Sequence, residues 1–371
     1  MTKLSYRIAL KYPGGVHYRH YQKHVPTLWK NGNDVNDWIH AQLFDDGAKV
    51  ITHYLLWNDQ PPPGTTASTK CGHTKGILMV HSTGIRLLIH SIPKFPERFR
   101  PLDRMISRVS EEEQIFGQSL ICIHLDQLSP ATLRLETNKL TSQIMYMNPN
   151  IIQTSPGMAE HEAYSSQTHL REHSFLPNSI FWPCVASCVT SCVASCVAPL
   201  PVVLHVAKPS LSRENRYCLF DRLAEIYGGP CRVQSLGRPQ SLPTKDVSHV
   251  SDIRMSIDSG LKGTKEKGTK GTKDGLKETG TKEKETKGTE KETHYRTTQD
   301  HSKWAVSEEP AEISKWTRWT PKTNRLHWVF IGDMNRMTSQ HARGGGGIMI
   351  VGDLQLWKAF HELCASVVRE C

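Results

Sequence analysis

The stretch GHTKGILMVHSTGIRLLIHS, residues 72–91, decides how the rest of the chain is read. Its two apolar runs, Gly76 to Val80 and Ile85 to His90, have strand length, and the turn residues Ser82, Thr83 and Gly84 lie between them. The pattern predicts two strands joined by a tight turn. His73 and Lys75 stand just ahead of the first run. In extended backbone, residues two apart share a face, so the imidazole and the ammonium would sit side by side with Thr74 turned away. The same pattern returns in DHSKW, residues 300–304, as His301 and Lys303 around Ser302.

A cation beside an imidazole suits a phosphate. The lysine holds non-bridging oxygens while the imidazole acts on phosphorus or on the leaving oxygen. One H-x-K in a chain with 19 His and 46 Lys plus Arg is unremarkable. Two of them say more. Phosphodiester cleavage without a metal needs two imidazoles in different protonation states, one neutral and attacking, the other protonating the departing alkoxide. Histidine can do both near its ordinary pKa of about 6.5.

Working outward, His90 ends the second apolar run, on the face of Arg86 and Leu88. Asp333-Met334-Asn335-Arg336 follows the strand candidate Trp328 to Gly332, where polar groups at a strand end are well placed for a site. Arg343 with Gly344 to Gly347 reads as a basic, flexible loop able to approach a phosphate backbone. It is not a P-loop, because no G-K-[ST] follows. Ser119 to His124 is a further strand candidate. Glu214 to Tyr227 has helical spacing and stops at Gly228-Gly229. Asp353 can cap a last helix with Trp357, Phe360, Leu363 and Val367 on its apolar side. The fold class expected is mixed α/β.

The 371 residues carry a formal net charge of +10, with 37% hydrophobic and 22% charged residues. That suits polyanionic partners and excludes collagen, a coiled coil, a small disulfide scaffold and a multi-pass membrane protein. Two tracts stand apart. Cys184 to Pro199 repeats a Cys-Val unit every four residues. A four-cysteine metal site or a membrane span is less fitting there than a low-complexity insertion, given the strict spacing and the flanking prolines. Leu261 to Glu292 holds ten Lys against seven acids among Gly and Thr, and reads as a solvated insertion. The boundaries expected are a first half at 1–175, an insertion at 176–200, and a second half at 201–371 carrying an insertion at 261–295. Met1 to Arg7 has no apolar run of the length a secretory signal needs.

The chain resembles the deoxyribonuclease II family, a branch of the phospholipase D-like superfamily. The resemblance rests on LLWNDQPPP (55–63), GHTKGILM (72–79), LLIHSIPKFP (87–96), GQSLICI (117–123), DHSKWAVS (300–307), GDMNR (332–336), RGGG (343–346) and LWKAF (356–360), in the family's order. It implies a phospholipase D-like fold of two pseudo-symmetric sheet-and-helix halves, each supplying one H-x-K. It further implies an acid endodeoxyribonuclease that needs no divalent metal and no cofactor and works through a phosphohistidine. The products would carry 3′-phosphate and 5′-hydroxyl ends. His73, Lys75, His301, Lys303 and His90 would be catalytic, and Asn335, Arg336 and Arg343 would bind substrate. The partner implied is DNA, with no membrane, and a monomer would act as a pseudo-dimer. The location implied is lysosomal or secreted, which makes the start of the chain look truncated.

The alternatives are a catalytically silent relative, a phosphodiesterase acting on another diester, and a non-enzymatic nucleic-acid-binding protein. The chain also departs from the family. Trp304-Ala305-Val306-Ser307 stands for W-C-V-S, and Phe330 stands for the cysteine near GDMNR. Together these imply a lost disulfide. Cys122 matches a family cysteine whose partner precedes the first strand.

Overall fold

The computed structural model describes residues 3–21, 28–44, 50–66, 71–126, 128–147, 150–156, 158, 178–183, 201–208, 210–212, 216–227, 229–235, 247–258, 290–312 and 325–368. The whole cysteine repeat, Cys184 to Pro199, and residues 261–289 lie outside the described residues, so the metal-site and membrane-span readings fall there too.

Two large sheets form the molecule. The first is built from β1 (Lys3–Lys11), β2 (Tyr18–Tyr21), β3 (Trp29–Gly32), β4 (Ile51–Asn58), β5 (Lys75–His81), β6 (Gly84–His90), β9 (Gln118–Asp126) and β10 (Ile151–Thr154). Between them a small ribbon pairs β7 (Phe99–Arg100) with β8 (Met105–Ile106). The second sheet uses β11 (Asn178–Pro183), β12 (Val202–Lys208), β13 (Cys231–Gln234), β14 (Val247–Asp258), β15 (Glu290–Arg296) and β16 (Trp304–Ser307). After the short ribbon β17 (Ala311–Glu312) with β18 (Arg325–Leu326), it is completed by β19 (Trp328–Gly332), β20 (Gly345–Val351) and β21 (Cys364–Val368).

The strand orders answer each other. One sheet runs β4-β5-β6-β9-β1-β2 and the other β13-β16-β19-β20-β12-β11. Every neighbouring pair in both series is antiparallel. Among the described strands, only β13 and β14 pair in parallel. The architecture is therefore mixed, with antiparallel sheets and a few helices.

The apolar strands form because both faces of each sheet are covered. β5, β6, β19 and β20 are buried along their whole length, so they read as continuous apolar runs rather than alternating ones. One face of each sheet enters a shared core, where Leu78, Ile89 and Ile121 meet Trp304, Ile331 and Ile348. The helices Pro130–Tyr146 and Leu354–Leu363 pack into that same core. The outer face of the first sheet is covered by the helix Val35–Phe44, and that of the second by the helix Leu219–Tyr227. Asp353 caps the last helix by accepting from the Leu356 N–H at 3.0 Å, and it also accepts from the Tyr6 and Tyr21 hydroxyls of the first sheet.

Several expectations change. The helix expected from Glu214 begins at Leu219, and Tyr217 lies before it with its ring 5.0 Å from the Lys208 ammonium. Val367 belongs to β21, not to the last helix. Residues 178–183 and 290–296 form β11 and β15, so the expected insertions overlap strands at their edges. Gly345 to Gly347 are not a flexible loop. They are the buried start of β20, where a Cβ on Gly346 would stand 2.0 Å from the Val206 carbonyl oxygen and one on Gly347 2.3 Å from that of Ile331. Glycine is there for close strand approach. Ala305 and Phe330 are direct cross-strand partners, so the two departures from the family's cysteines face each other. Phe330 fills that place and packs edge-on against Phe220, with centroids 5.9 Å apart.

Candidate active site

The first H-x-K segment runs into the start of β5 and the second lies just ahead of the equivalent strand β16, and each is held by the opposite sheet. The His73 N–H donates to the Gly344 carbonyl at 2.7 Å. The His301 N–H donates to the Gly117 carbonyl at 2.8 Å. Gly344 and Gly117 immediately precede β20 and β9, which hold matching places in the two sheets. The latch repeats one step on. The Lys75 N–H donates to the Asp333 carboxylate at 2.9 Å, and the Lys303 N–H to the Ser119 hydroxyl at 3.0 Å. Thr74 and Ser302 turn away, Thr74 to the Trp57 indole at 3.1 Å and Ser302 to Asp300. The backbone N–H groups of both segments are thus held by the opposite sheet.

The side chains around the two segments differ. At the first, Asp59 is buried and bonds the Lys75 ammonium. Its other oxygen stands 3.6 Å from His73 Nε2 and 3.5 Å from Arg343 Nη2. Burial pushes the Asp59 carboxyl up, but Lys75, His73 and Arg343 outweigh it and hold it below its ordinary value. Burial, then the Lys75 ammonium, drives His73 well below 6.5. Arg343 also donates to the Cys71 and Gly72 carbonyls, so it braces the chain leading into His73.

At the second, the His301 ring stacks on Phe116 with centroids 3.9 Å apart and planes at 11°. Burial lowers it to about 4, helped by Lys303, Lys75 and Lys11. Lys303 is buried and pushed down to about 7 by burial and by Lys75. Asp300 bonds Ser302, and burial raises it to about 6. Burial likewise raises Asp333 to about 7. The two pairs share one electrostatic environment. Lys303 lowers His73, and Lys75 lowers both His301 and Lys303.

His90 ends β6 in the buried interior, edge-on to Phe95 at 5.3 Å, with Nδ1 accepting from the Ile92 N–H at 3.2 Å. Burial and the nearby Lys75 charge push it down to about 3, so the ring stays neutral beside the first pair. Asn335 is buried, and its N–H donates to the Gln340 side chain at 2.7 Å. Arg336 does not join the group. It is buried in the outer layer, 3.3 Å from Asp221 on the helix Leu219–Tyr227. Its side chain braces that layer instead of reaching toward a substrate.

Asp59, Ser119 and Phe116 carry site contacts that spacing alone did not assign. Asp59 was visible as a carboxylate just after an apolar run, in WNDQ. Nothing local marks the other two.

The family model for deoxyribonuclease II matches residues 14–178 and 255–370. Deoxyribonuclease-2-alpha of Bos taurus is 26% identical over 321 residues, covering 84% of this chain and 68% of that protein. A putative deoxyribonuclease-2 of Burkholderia thailandensis is 23% identical, covering 94% and 83%. Plancitoxin-1 of Acanthaster planci is 25% identical, covering 87% and 73%. The chain belongs to the deoxyribonuclease II family, and so to the nuclease hydrolases. No helix among the described residues is long and apolar enough to cross a membrane.

Proposed function

We propose that the chain is an endodeoxyribonuclease that cleaves DNA at acid pH through two histidines, without a divalent metal, on a phospholipase D-like fold. The observation that carries this reading is the reciprocal latch of the two H-x-K segments across the two sheets. It supports the division into two halves meeting at one site, in a monomer that works as a pseudo-dimer. A lysosomal or secreted location fits the acid chemistry.

His73 attacks phosphorus, forming an N–P bond as the P–O5′ bond breaks. The electron pair goes to O5′, which takes a proton from His301. The upstream strand is then held as a 3′-phosphoryl-histidine. His301, now neutral, removes a proton from water, water oxygen bonds phosphorus and the N–P bond breaks. The products are a 3′-phosphate and a 5′-hydroxyl. Lys75 and Lys303 stabilise charge on the non-bridging oxygens. Asp59 orients Lys75 and His73, and Arg343 closes that side. The neutral His90 fixes the dry wall behind Lys75, and Asn335 contributes a polar side chain at the end of β19.

The site explains an acid preference. Both reacting imidazoles are held neutral by burial and by lysine charge. One of them must be protonated for the first step. Low pH and the incoming phosphate charge both favour that. Plasmid nicking at about pH 5 in EDTA tests the reading. Nicking that persists in EDTA and disappears in His73→Ala and His301→Ala is the expected result. Nicking that needs a divalent metal, or survives both substitutions, overturns it.

A further inference from the structure

We infer that Lys11 and Lys208 are positioning residues, each a buried ammonium that fixes, through main-chain oxygens, the loop completing one half of the site. The inference rests on the two-histidine reading above.

Lys11 is the last residue of β1 and Lys208 the last of β12, and these strands hold matching places in the two sheets. Lys11 lies opposite Gln118 across β9, and Lys208 opposite Gly345 across β20. Both are fully buried. The Lys11 ammonium donates to the carbonyls of Tyr12 at 2.8 Å, Gly15 at 2.7 Å and Gln114 at 2.7 Å. An ammonium has three donors, and all three are used. The Lys208 ammonium donates to the carbonyls of His341 at 2.8 Å and Arg343 at 2.5 Å and faces the Tyr217 ring.

The clamped carbonyls are not arbitrary. Gln114 is two residues before Phe116, which stacks on His301, and three before Gly117, whose carbonyl holds the His301 N–H. Arg343 reaches Asp59 with its side chain, and its neighbour Gly344 holds the His73 N–H. Burying an ammonium is costly, as the downward push on Lys11 to about 7 and Lys208 to about 8 shows. A methionine would fill the same space without that cost. What lysine adds at both places is a grip on the loop entering the site.

The test uses Lys11→Met and Lys208→Met in the full chain, with first-turnover rates taken per folded molecule. The substrates are DNA and thymidine 3′-(p-nitrophenyl phosphate), whose leaving group needs no proton. Lys11→Met is expected to slow DNA cleavage by at least about tenfold but the activated ester by less than about threefold, because it disturbs the acid His301. Lys208→Met is expected to slow both by at least about tenfold, because it disturbs the side of the nucleophile. Unchanged rates per folded molecule, with only the folded fraction reduced, would assign the lysines to stability alone and overturn the inference. If the Met variants do not fold, Lys11→Gln and Lys208→Gln keep two N–H donors and are judged by the same two ratios. His301→Ala separates the two levels. If the activated ester does not rescue it, the acid role of His301 fails. Lys11 is then judged by its DNA rate per folded molecule alone, a loss supporting the clamp and no loss overturning it.

Discussion

The two half-sites share a backbone and differ in side chains. Each histidine N–H is held by a glycine carbonyl at the head of a strand in the other sheet, and each lysine N–H by a side chain of that sheet. Beyond this the equivalence ends. His73 faces a carboxylate that also bonds Lys75 and Arg343, whereas His301 lies flat on Phe116. The carboxylate beside the second pair, Asp300, is turned to Ser302. In the proposed mechanism, a symmetric scaffold would bring two imidazoles to one phosphate, and asymmetric neighbours would give them different tasks.

The largest effect comes from removing either imidazole. His73→Ala and His301→Ala should each lose roughly a thousandfold or more in kcat on DNA. They should part on the activated ester, where first-turnover release of p-nitrophenolate returns for His301→Ala and stays lost for His73→Ala. Equal losses on both substrates would break the proposed division of roles.

The pH profile sharpens the comparison next. On the proposed mechanism His301 must carry a proton to act as the acid, and burial and the nearby lysines lower its pKa to about 4. Above that value kcat/KM should fall by about tenfold per pH unit, so by about a hundredfold between pH 5 and 7. Lys303 loses its proton near 7, which removes a second cation and steepens the loss there. Rates in EDTA from pH 4 to 8 measure this, and a flat profile would contradict it.

Asp59→Asn leaves Lys75 buried without its carboxylate. Removing one partner of a buried pair costs about 3–5 kcal/mol, read as a lower urea midpoint. The folded fraction should also lose about tenfold in kcat, since Lys75 and Arg343 are released together. Phe116→Leu removes the stack that orients His301. A loss of about threefold to tenfold in kcat on DNA, with little change on the activated ester, is expected from a stacking contribution of roughly 1 kcal/mol. Arg336→Met should change the rate per folded molecule by less than about twofold and lower thermal stability, because its partner is Asp221. A larger loss of activity would return Arg336 to the substrate.

Much of this was legible in the chain because it is local. The hairpin of β5 and β6, the strand at Trp328–Gly332 and the Asp353 cap follow from periodicity and end signals. Both H-x-K pairs follow from spacing. What failed was direction and partnership. A glycine run beside an arginine reads as flexible until another strand is laid 2.0 Å from where a Cβ would stand. Arg336 looks like a phosphate ligand until the helix Leu219–Tyr227 offers Asp221. Lys11, Lys208 and Phe116 gain their roles only from contacts made by distant chain segments, which no window along the sequence contains.

The most direct test of the two-histidine account is to trap the covalent intermediate. DNA labelled at the phosphates is mixed with excess enzyme at about pH 5 in EDTA and quenched in alkali, where phosphohistidine survives. The account predicts label on the protein in the first turnover, located on the peptide containing His73 and absent from His73→Ala. Label that persists in His73→Ala, or cleavage in the first turnover with no labelled protein at all, would contradict it.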